Sequence, residues 1–328
     1  MDKIIGMGNA LVDVLATIDN DQILQDMKLP KGSMQLIDET KLEEISKTFS
    51  TLKTYLATGG SAANTILALS CLGANTGFIG KVGKDKYGQF FKENCISNGI
   101  DEKLLVCDLP SGIASTFISP DGERTFGTYL GAASCMKAED LSPEMFKGYT
   151  SLYIEGYLVQ DHTMILRAIE LAKEAGLQIC LDMASYNIVE NDLEFFTLLI
   201  NKYADVVFAN EEEAKAFTGK EPEEALEEIS KMCSIVIIKR GSKGASIKKG
   251  TEEVHVKALP IEKLVDTTGA GDYFAAGFLY GLSCGYSLKV CGKIGSFLAG
   301  NVIQVIGTTL SKEKWDEIKL NINSILSE

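Results

Sequence analysis

Asp272 closes the run Asp266-Thr267-Thr268-Gly269-Ala270-Gly271-Asp272, and the apolar stretch Tyr273 to Tyr280 follows directly. Glycines on either side of Ala270 let the backbone turn sharply and approach a ligand closely. The residues after them have the composition of a helix, whose first N–H groups lack partners within the helix. Those donors and the helix dipole attract anions, and a transferring phosphoryl group suits such a pocket. A carboxylate in the first turn stands beside the pocket, where it can take the proton of an attacking hydroxyl as a general base. The same residues also suit a plain turn, with Gly269 and Gly271 bending the chain and Asp272 capping the helix.

Four further segments carry chemistry-bearing residues. Gly59-Gly60 precedes Ser61-Ala62-Ala63-Asn64 and a helical run to Gly73. Close approach by a ligand is one use of the glycine pair, and Asn64 offers both donor and acceptor to sugar hydroxyls. Capping and tight small-residue packing explain the pattern equally well. Gly8-Asn9-Ala10-Leu11-Val12-Asp13 ends the first strand, where the Asp13 carboxylate can accept hydrogen bonds from vicinal hydroxyls. Gly6 and Gly8 make no dinucleotide fingerprint, because the third glycine is missing and the following residues are extended in character. Asn210-Glu211-Glu212-Glu213 follows a strand, with Asn210 and Glu213 spaced to organise a hydrated Mg²⁺ near phosphates or to open a solvated helical turn. Lys239-Arg240-Gly241-Ser242-Lys243-Gly244 sets a glycine turn among three cations. Lys239, Gly241 and Gly244 there suit a nucleotide, or an ordinary hairpin.

Elements must gather these residues into one place. From about residue 150, apolar runs at Ser151–Ile154, Gln178–Asp182, Val206–Ala209 and Ile235–Ile238 alternate with helical patterns at Met164–Ala175, Glu211–Phe217 and Glu223–Met232. That rhythm predicts an α/β fold with a mostly parallel central sheet flanked by helices. Earlier, Leu11–Ile18, Met34–Ile37, Ile113–Ile118 and Arg124–Tyr129 read as short strands with little helix among them. They predict a small β-sheet lid from segments near 11–38 and 104–130, within one domain spanning 1–328. Sites in open α/β sheets lie at the carboxyl ends of the strands, where the five segments fall.

The net charge of −13 argues against a general nucleic-acid or anionic-membrane surface. A polyanionic substrate then needs a local positive island, which the helix start after Gly269 would supply. Eight cysteines without a C-x-x-C pair read as free thiols in a reducing cytosol. Residues 1–13 lack the features of a signal peptide. The apolar stretch Tyr273–Cys284, broken by Gly277 and Gly281, is short of the roughly 20 residues that span a bilayer. We therefore expect a soluble, cytoplasmic protein. Only His162 and His255 occur, which gives no support to a histidine zinc site or a serine-protease triad. No G-x-x-x-x-G-K-[ST] run exists, so a Walker-type loop is absent. Trp315 reads as packing in a C-terminal helix.

Taken in order, these segments resemble the two signature regions and the intervening Asn-x-x-Glu of the ribokinase-like, or PfkB, carbohydrate kinase family, from Ile4 to about Gly307. The resemblance implies an enzyme that uses ATP and Mg²⁺ to phosphorylate a primary hydroxyl of a furanose. It makes Asp272 the base and Gly269, Ala270 and Gly271 the anion hole. Asn9, Asp13, Gly59, Gly60 and Asn64 would hold the acceptor, and Asn210 with Glu213 would act near Mg²⁺. Asp266 and Thr268 match positions that bind a monovalent cation, usually K⁺. The stretch from Asn301 to Gly307 matches, more loosely, where adenine is enclosed. Leu29–Met34, Asp121–Thr125 and Tyr129–Ala132 look like the adenosine-kinase-like branch, whereas Glu155 resembles an acidic position of ribokinase. A nucleoside acceptor is favoured, with Met34, Leu36, Phe117 and Phe126 as surface for its base; a free sugar is the alternative. Arg124 suits closure over a phosphate or polar acceptor, or a solvated hairpin. A non-catalytic sugar or nucleotide sensor is the rival class. Exposed lid edges could pair two copies into a homodimer.

Overall fold

The computed structural model describes residues 2–326. In chain order its strands are β1 (Lys3–Met7), β2 (Leu11–Thr17), β3 (Met34–Leu36), β4 (Thr54–Gly59), β5 (Asn75–Gly83), β6 (Asp101–Cys107), β7 (Gly112–Ile118), β8 (Arg124–Tyr129), β9 (Ser151–Glu155), β10 (Gln178–Asp182), β11 (Val206–Asn210), β12 (Ile235–Lys239), β13 (Ala245–Lys249) and β14 (Glu252–Val256). The helices are α1 (Gln22–Asp26), α2 (Glu39–Phe49), α3 (Ser61–Cys71), α4 (Lys86–Ser97), α5 (His162–Glu174), α6 (Tyr186–Asn191), α7 (Leu193–Lys202), α8 (Glu211–Thr218), α9 (Pro222–Ile229), α10 (Ala270–Ser283), α11 (Leu288–Val302) and α12 (Lys312–Leu326).

Nine strands form the larger sheet in the order β14-β13-β12-β11-β10-β9-β1-β5-β6. All neighbours from β6 to β12 run parallel, and β13 and β14 close the edge antiparallel. This is the mostly parallel, helix-flanked sheet that the β-α-β rhythm predicts. Successive side chains of a strand point to opposite faces, and the core obeys that rule. Val206 and Phe208 join one hydrophobic cluster, together with residues of α3, α10, α11 and α12. Val207 and Ala209 join the other, beneath α5, α7, α8 and α9. Burial on both faces explains why these strands are continuous apolar runs.

Register then fixes the chemistry. Asp182 lies opposite Glu155, and Asn210 opposite Lys239, each the last residue of its strand. Asp182 in turn lies opposite Phe208, so Asn210 and Lys239 stand two residues beyond Glu155 and Asp182, and four polar side chains end the neighbouring strands β9 to β12 at the carboxyl edge. Helix α10, which starts beside this edge, crosses α11 closely. A Cβ added at Gly277 would lie 2.7 Å from the Ile294 carbonyl, so a larger residue there would push the pair apart.

The smaller sheet has the order β3-β8-β7-β2-β4. Its strands at 11–17, 34–36, 112–118 and 124–129 match the expected ones, but two boundaries differ from the sequence reading. Thr54–Gly59 is a fifth strand on its edge, where Thr54, Tyr55 and Leu56 are exposed and leave no buried face to read. Residues 104–107 belong instead to β6 of the larger sheet. That strand is also an edge, mostly half-buried, so its pattern resembles that of a surface sheet. Helix α2 interrupts the segment between β3 and β4, capped by the Asp38 side chain on the Lys41 N–H. All eight cysteines are unpaired. No helix among the described residues is long and apolar enough to cross a membrane.

Candidate active site

A cleft of about 580 Å³ lies between the smaller sheet and the carboxyl edge of the larger one. That volume is ordinary for a small-molecule site. Its floor begins with Glu155, which is buried. Glu155 Oε1 accepts the Asn9 backbone N–H at 2.8 Å and the Asn9 side-chain amide at 2.7 Å, and Oε2 accepts the Ala62 N–H at 2.8 Å. Burial pushes this carboxyl up to about 7, against the pull of the three donors. Glu155 and Asn9 therefore lock the end of β1 to the start of α3.

Helix α3 opens at Gly60, whose φ of +97° is the left-handed side of the map. A side chain there would also run into the Asn9 carbonyl, and one at Gly59 into the Asp13 carboxylate. Three residues apart, Ser61 and Asn64 share a helix face and reach the same group. Ser61 Oγ donates to Asp272 Oδ1 at 2.6 Å, and Asn64 Nδ2 donates to Oδ2 at 2.9 Å. Asn64 Oδ1 is buried without a partner among the described residues, an acceptor that the cleft alone can satisfy.

Asp272 sits in the first turn of α10, behind the N-cap Gly269 at φ +75°. Burial raises its carboxyl to about 6, opposed by the hydrogen bonds from Ser61 and Asn64, with Asp182 adding repulsion. A proton affinity near neutrality suits a general base. The positive island is completed by Lys239, since a Cβ at Gly271 would stand only 3.1 Å from its Nζ. Nζ donates to Asp182 Oδ2 at 3.0 Å. Burial favours the neutral amine, but Asp182 and Glu213 outweigh it and hold Lys239 protonated. Gly269→Ala tests the loop. A Cβ there meets Thr308 Cγ2 at 2.6 Å. The strained left-handed residue should lower the unfolding free energy by about 1–3 kcal/mol in a denaturant titration; unchanged stability would mean the loop relaxes freely.

Asn210 and Glu213 line the cleft and also bond each other. The Glu213 N–H donates to Asn210 Oδ1 at 2.8 Å, while the Asn210 N–H and side-chain amide donate to Glu213 at 2.7 and 2.6 Å. This is a capping box, formed by two residues that also line the cleft. Burial pushes the Glu213 carboxyl up to about 7, with Lys239 opposing and Asp182 adding to the rise. Asp13, on β2, is raised to about 7 by burial, with Arg124 opposing and Asp272 and Asp266 adding to the rise. It faces the same cleft. Arg124 Nη1 pairs with Asp266 Oδ2 at 2.8 Å, and Asp266 Oδ1 takes the Thr268 hydroxyl at 2.7 Å.

Several expected residues lie elsewhere. Phe117 is fully buried and packs edge-on against Phe49 with centroids 4.7 Å apart, so it offers no surface to a ligand. Asn301 is buried and donates to the Phe297 carbonyl at 2.8 Å, away from the cleft. Lys239 and Gly241 line the cleft, whereas Gly244, at φ +94°, turns the chain between the antiparallel strands β12 and β13 against the Val256 backbone. Gly244 thus serves the hairpin, while Lys239 and Gly241 stand at the cleft. Asp182 and Ser61 were missed. Asp182 carried a signal, as the last residue of a strand like Asn210; Ser61, one turn before Asn64 on the same face, carried another.

Fold and site together define a ribokinase-like phosphotransferase acting on an alcohol group. Residues 34–315 match the pfkB family of carbohydrate kinases, and the chain belongs to that family. It is 30% identical to adenosine kinase 1 of Arabidopsis thaliana, over 93% of this chain and 95% of the plant protein. The adenosine kinase structure from Sinorhizobium meliloti superposes with a TM-score of 0.86 at 31% identity, covering 98% of this chain and 99% of that one. A probable sugar kinase from Rhizobium etli superposes equally, with a TM-score of 0.86 at 34% identity and 98% of each chain covered.

Proposed function

We propose that the protein transfers the γ-phosphoryl group of ATP to the primary hydroxyl of a furanose, with adenosine or a similar nucleoside as the favoured acceptor. One observation carries the nucleoside reading. Met34 and Leu36 are 53% and 59% exposed, and with Phe126 they line the smaller sheet's side of the cleft. Large apolar side chains held in water gain about 25 cal/mol for each Å² of area that a flat base covers. In the same cleft, Asp13 and Asn64 Oδ1 would present acceptors to vicinal ribose hydroxyls. Glu155, the residue that leaned toward a free sugar, has its oxygens engaged by Asn9 and Ala62.

In this reading the smaller sheet is a lid that keeps water from the acceptor. Asp272 takes the hydroxyl proton, while the Gly269 and Gly271 N–H groups and Lys239 stabilise the transferring phosphoryl group; the expected third donor, the Ala270 N–H, already bonds the Thr267 carbonyl at 3.2 Å. No cluster of three or more His, Cys, Asp or Glu side chains among the described residues is disposed to grip a bare ion. Asn210 and Glu213, which line the cleft beside Lys239, are the residues that would meet a hydrated Mg²⁺, through its waters. When bound, the ion would supply charge to the phosphates. A sensor would have no use for a carboxylate held by two donors at the anion pocket, and ATP consumption with acceptor present separates the two classes. The deciding experiment is kcat/KM for adenosine, ribose and fructose under identical Mg²⁺ and salt. We expect adenosine to lead; a ratio to either sugar below one would defeat the nucleoside preference and leave the kinase assignment standing.

A further inference from the structure

Whether Asp266 can hold a monovalent cation depends on what its carboxylate already carries. Oδ1 accepts the Thr268 N–H at 3.1 Å and the Thr268 hydroxyl at 2.7 Å. Oδ2 accepts the Gly307 N–H at 2.8 Å and pairs with Arg124 Nη1 at 2.8 Å. A carboxylate has about four lone-pair sites, and these donors fill them. Both side chains of the ion pair are only 8% exposed, so the charge is neutralised away from water. A guanidinium does not deprotonate in a protein, so this neutralisation persists at any working pH. A K⁺ ion placed here would face a second buried cation at short range, where repulsion is weakly screened. The residues do not fit K⁺.

The position of the guanidinium gives this misfit a function. Arg124 Nη2 is buried without a hydrogen-bond partner among the described residues and lies 4.0 Å from where a Gly307 Cβ would stand. The group therefore fills the space between residues 266–268 and Gly307. Those two segments frame the anion loop: 266–268 leads into it, and Thr308 packs on Gly269. Arg124 arrives from β8 of the smaller sheet, so the cation that tightens the loop is part of the chain itself.

We propose that Arg124 takes the place of a monovalent cation as a positioning residue: it neutralises Asp266, fixes the segments around Gly269–Gly271, and makes phosphoryl transfer independent of K⁺. This rests on the kinase activity and not on which acceptor is used. The test compares chlorides of K⁺ and tetramethylammonium at equal ionic strength, with MgATP and whichever acceptor is turned over. Wild-type kcat/KM should be the same in both salts, and the Tm of the unliganded protein likewise. Arg124→Ala leaves the Asp266 carboxylate buried and unpaired. Its kcat/KM should fall on the order of tenfold in tetramethylammonium, the size of one lost charged hydrogen bond, and K⁺ should restore both rate and Tm. The Tm arm needs no substrate, so it separates this proposal from the choice of acceptor. Activation of the wild type by K⁺ would overturn it. So would an Arg124→Ala enzyme that keeps full rate, or one whose loss K⁺ restores in neither readout, which would make Arg124 a ligand contact. If Arg124→Ala does not fold, Arg124→Gln takes its place, with the same outcomes read the same way.

Discussion

Asp272→Asn should lower turnover by roughly 10²–10⁴-fold, the usual contribution of a positioned general base, while nucleotide affinity stays nearly unchanged. Asparagine keeps the shape of the group and can still meet Ser61 and Asn64, but it accepts no proton. In the proposed function Gly269, Gly271 and Lys239 hold the phosphoryl group, and the substitution replaces none of them. The wild-type pH profile carries the same argument. Burial lifts the Asp272 carboxyl from 3.8 to about 6. A base works only when deprotonated, so kcat/KM should be lost as pH falls through about 6 and level off above it. Asp13, Glu155 and Glu213 also titrate near neutrality, so a second variant assigns the limb. Ser61→Ala removes a donor that stabilises the Asp272 carboxylate, and the limb should move to higher pH. Near-normal turnover in Asp272→Asn, or a limb unmoved in Ser61→Ala, would dismiss Asp272 as the base.

Asp13→Ala should weaken acceptor binding by about 1.5–3 kcal/mol, the range of a hydrogen bond to a charged group, with a much smaller change in kcat. Asp13 lies on β2 with its carboxylate against Gly59, where any larger residue would displace it. Its proton affinity, raised to about 7 by burial, means that part of its hydrogen-bonding strength is lost below neutrality. The affinity measurement therefore belongs above pH 7, where the Asp13 carboxylate is charged. A deoxy acceptor lacking one ring hydroxyl supplies the control. It should bind the wild type poorly, yet lose little more in Asp13→Ala, because the partner of that hydroxyl is already gone. Equal discrimination by both proteins would show that Asp13 reads no ring hydroxyl.

The sequence by itself determined whatever is written in short-range spacing. The apolar run Val206–Ala209 reads as a strand from four residues, and in the structure it is buried on both faces. The glycines at 60 and 269 mark left-handed turns, which any L side chain resists, so both helix starts could be placed without knowing the fold. Asp272 follows from its own loop in the same way. Tertiary structure alone decided which residues meet. Ser61 and Asn64 reach Asp272 across 211 and 208 residues of chain, and Asn9 reaches Glu155 across 146. Nothing local encodes those distances, because they depend on parallel register and on how closely α3 and α10 pack. The same holds for Phe117, turned inward against Phe49 by strand alternation that pairing with β2 and β8 fixes. It holds most strongly for Arg124. As a sequence its hairpin suits closure over a phosphate or a solvated tip equally, and only the packing of the smaller sheet against the 266–268 loop makes that arginine a buried partner of Asp266.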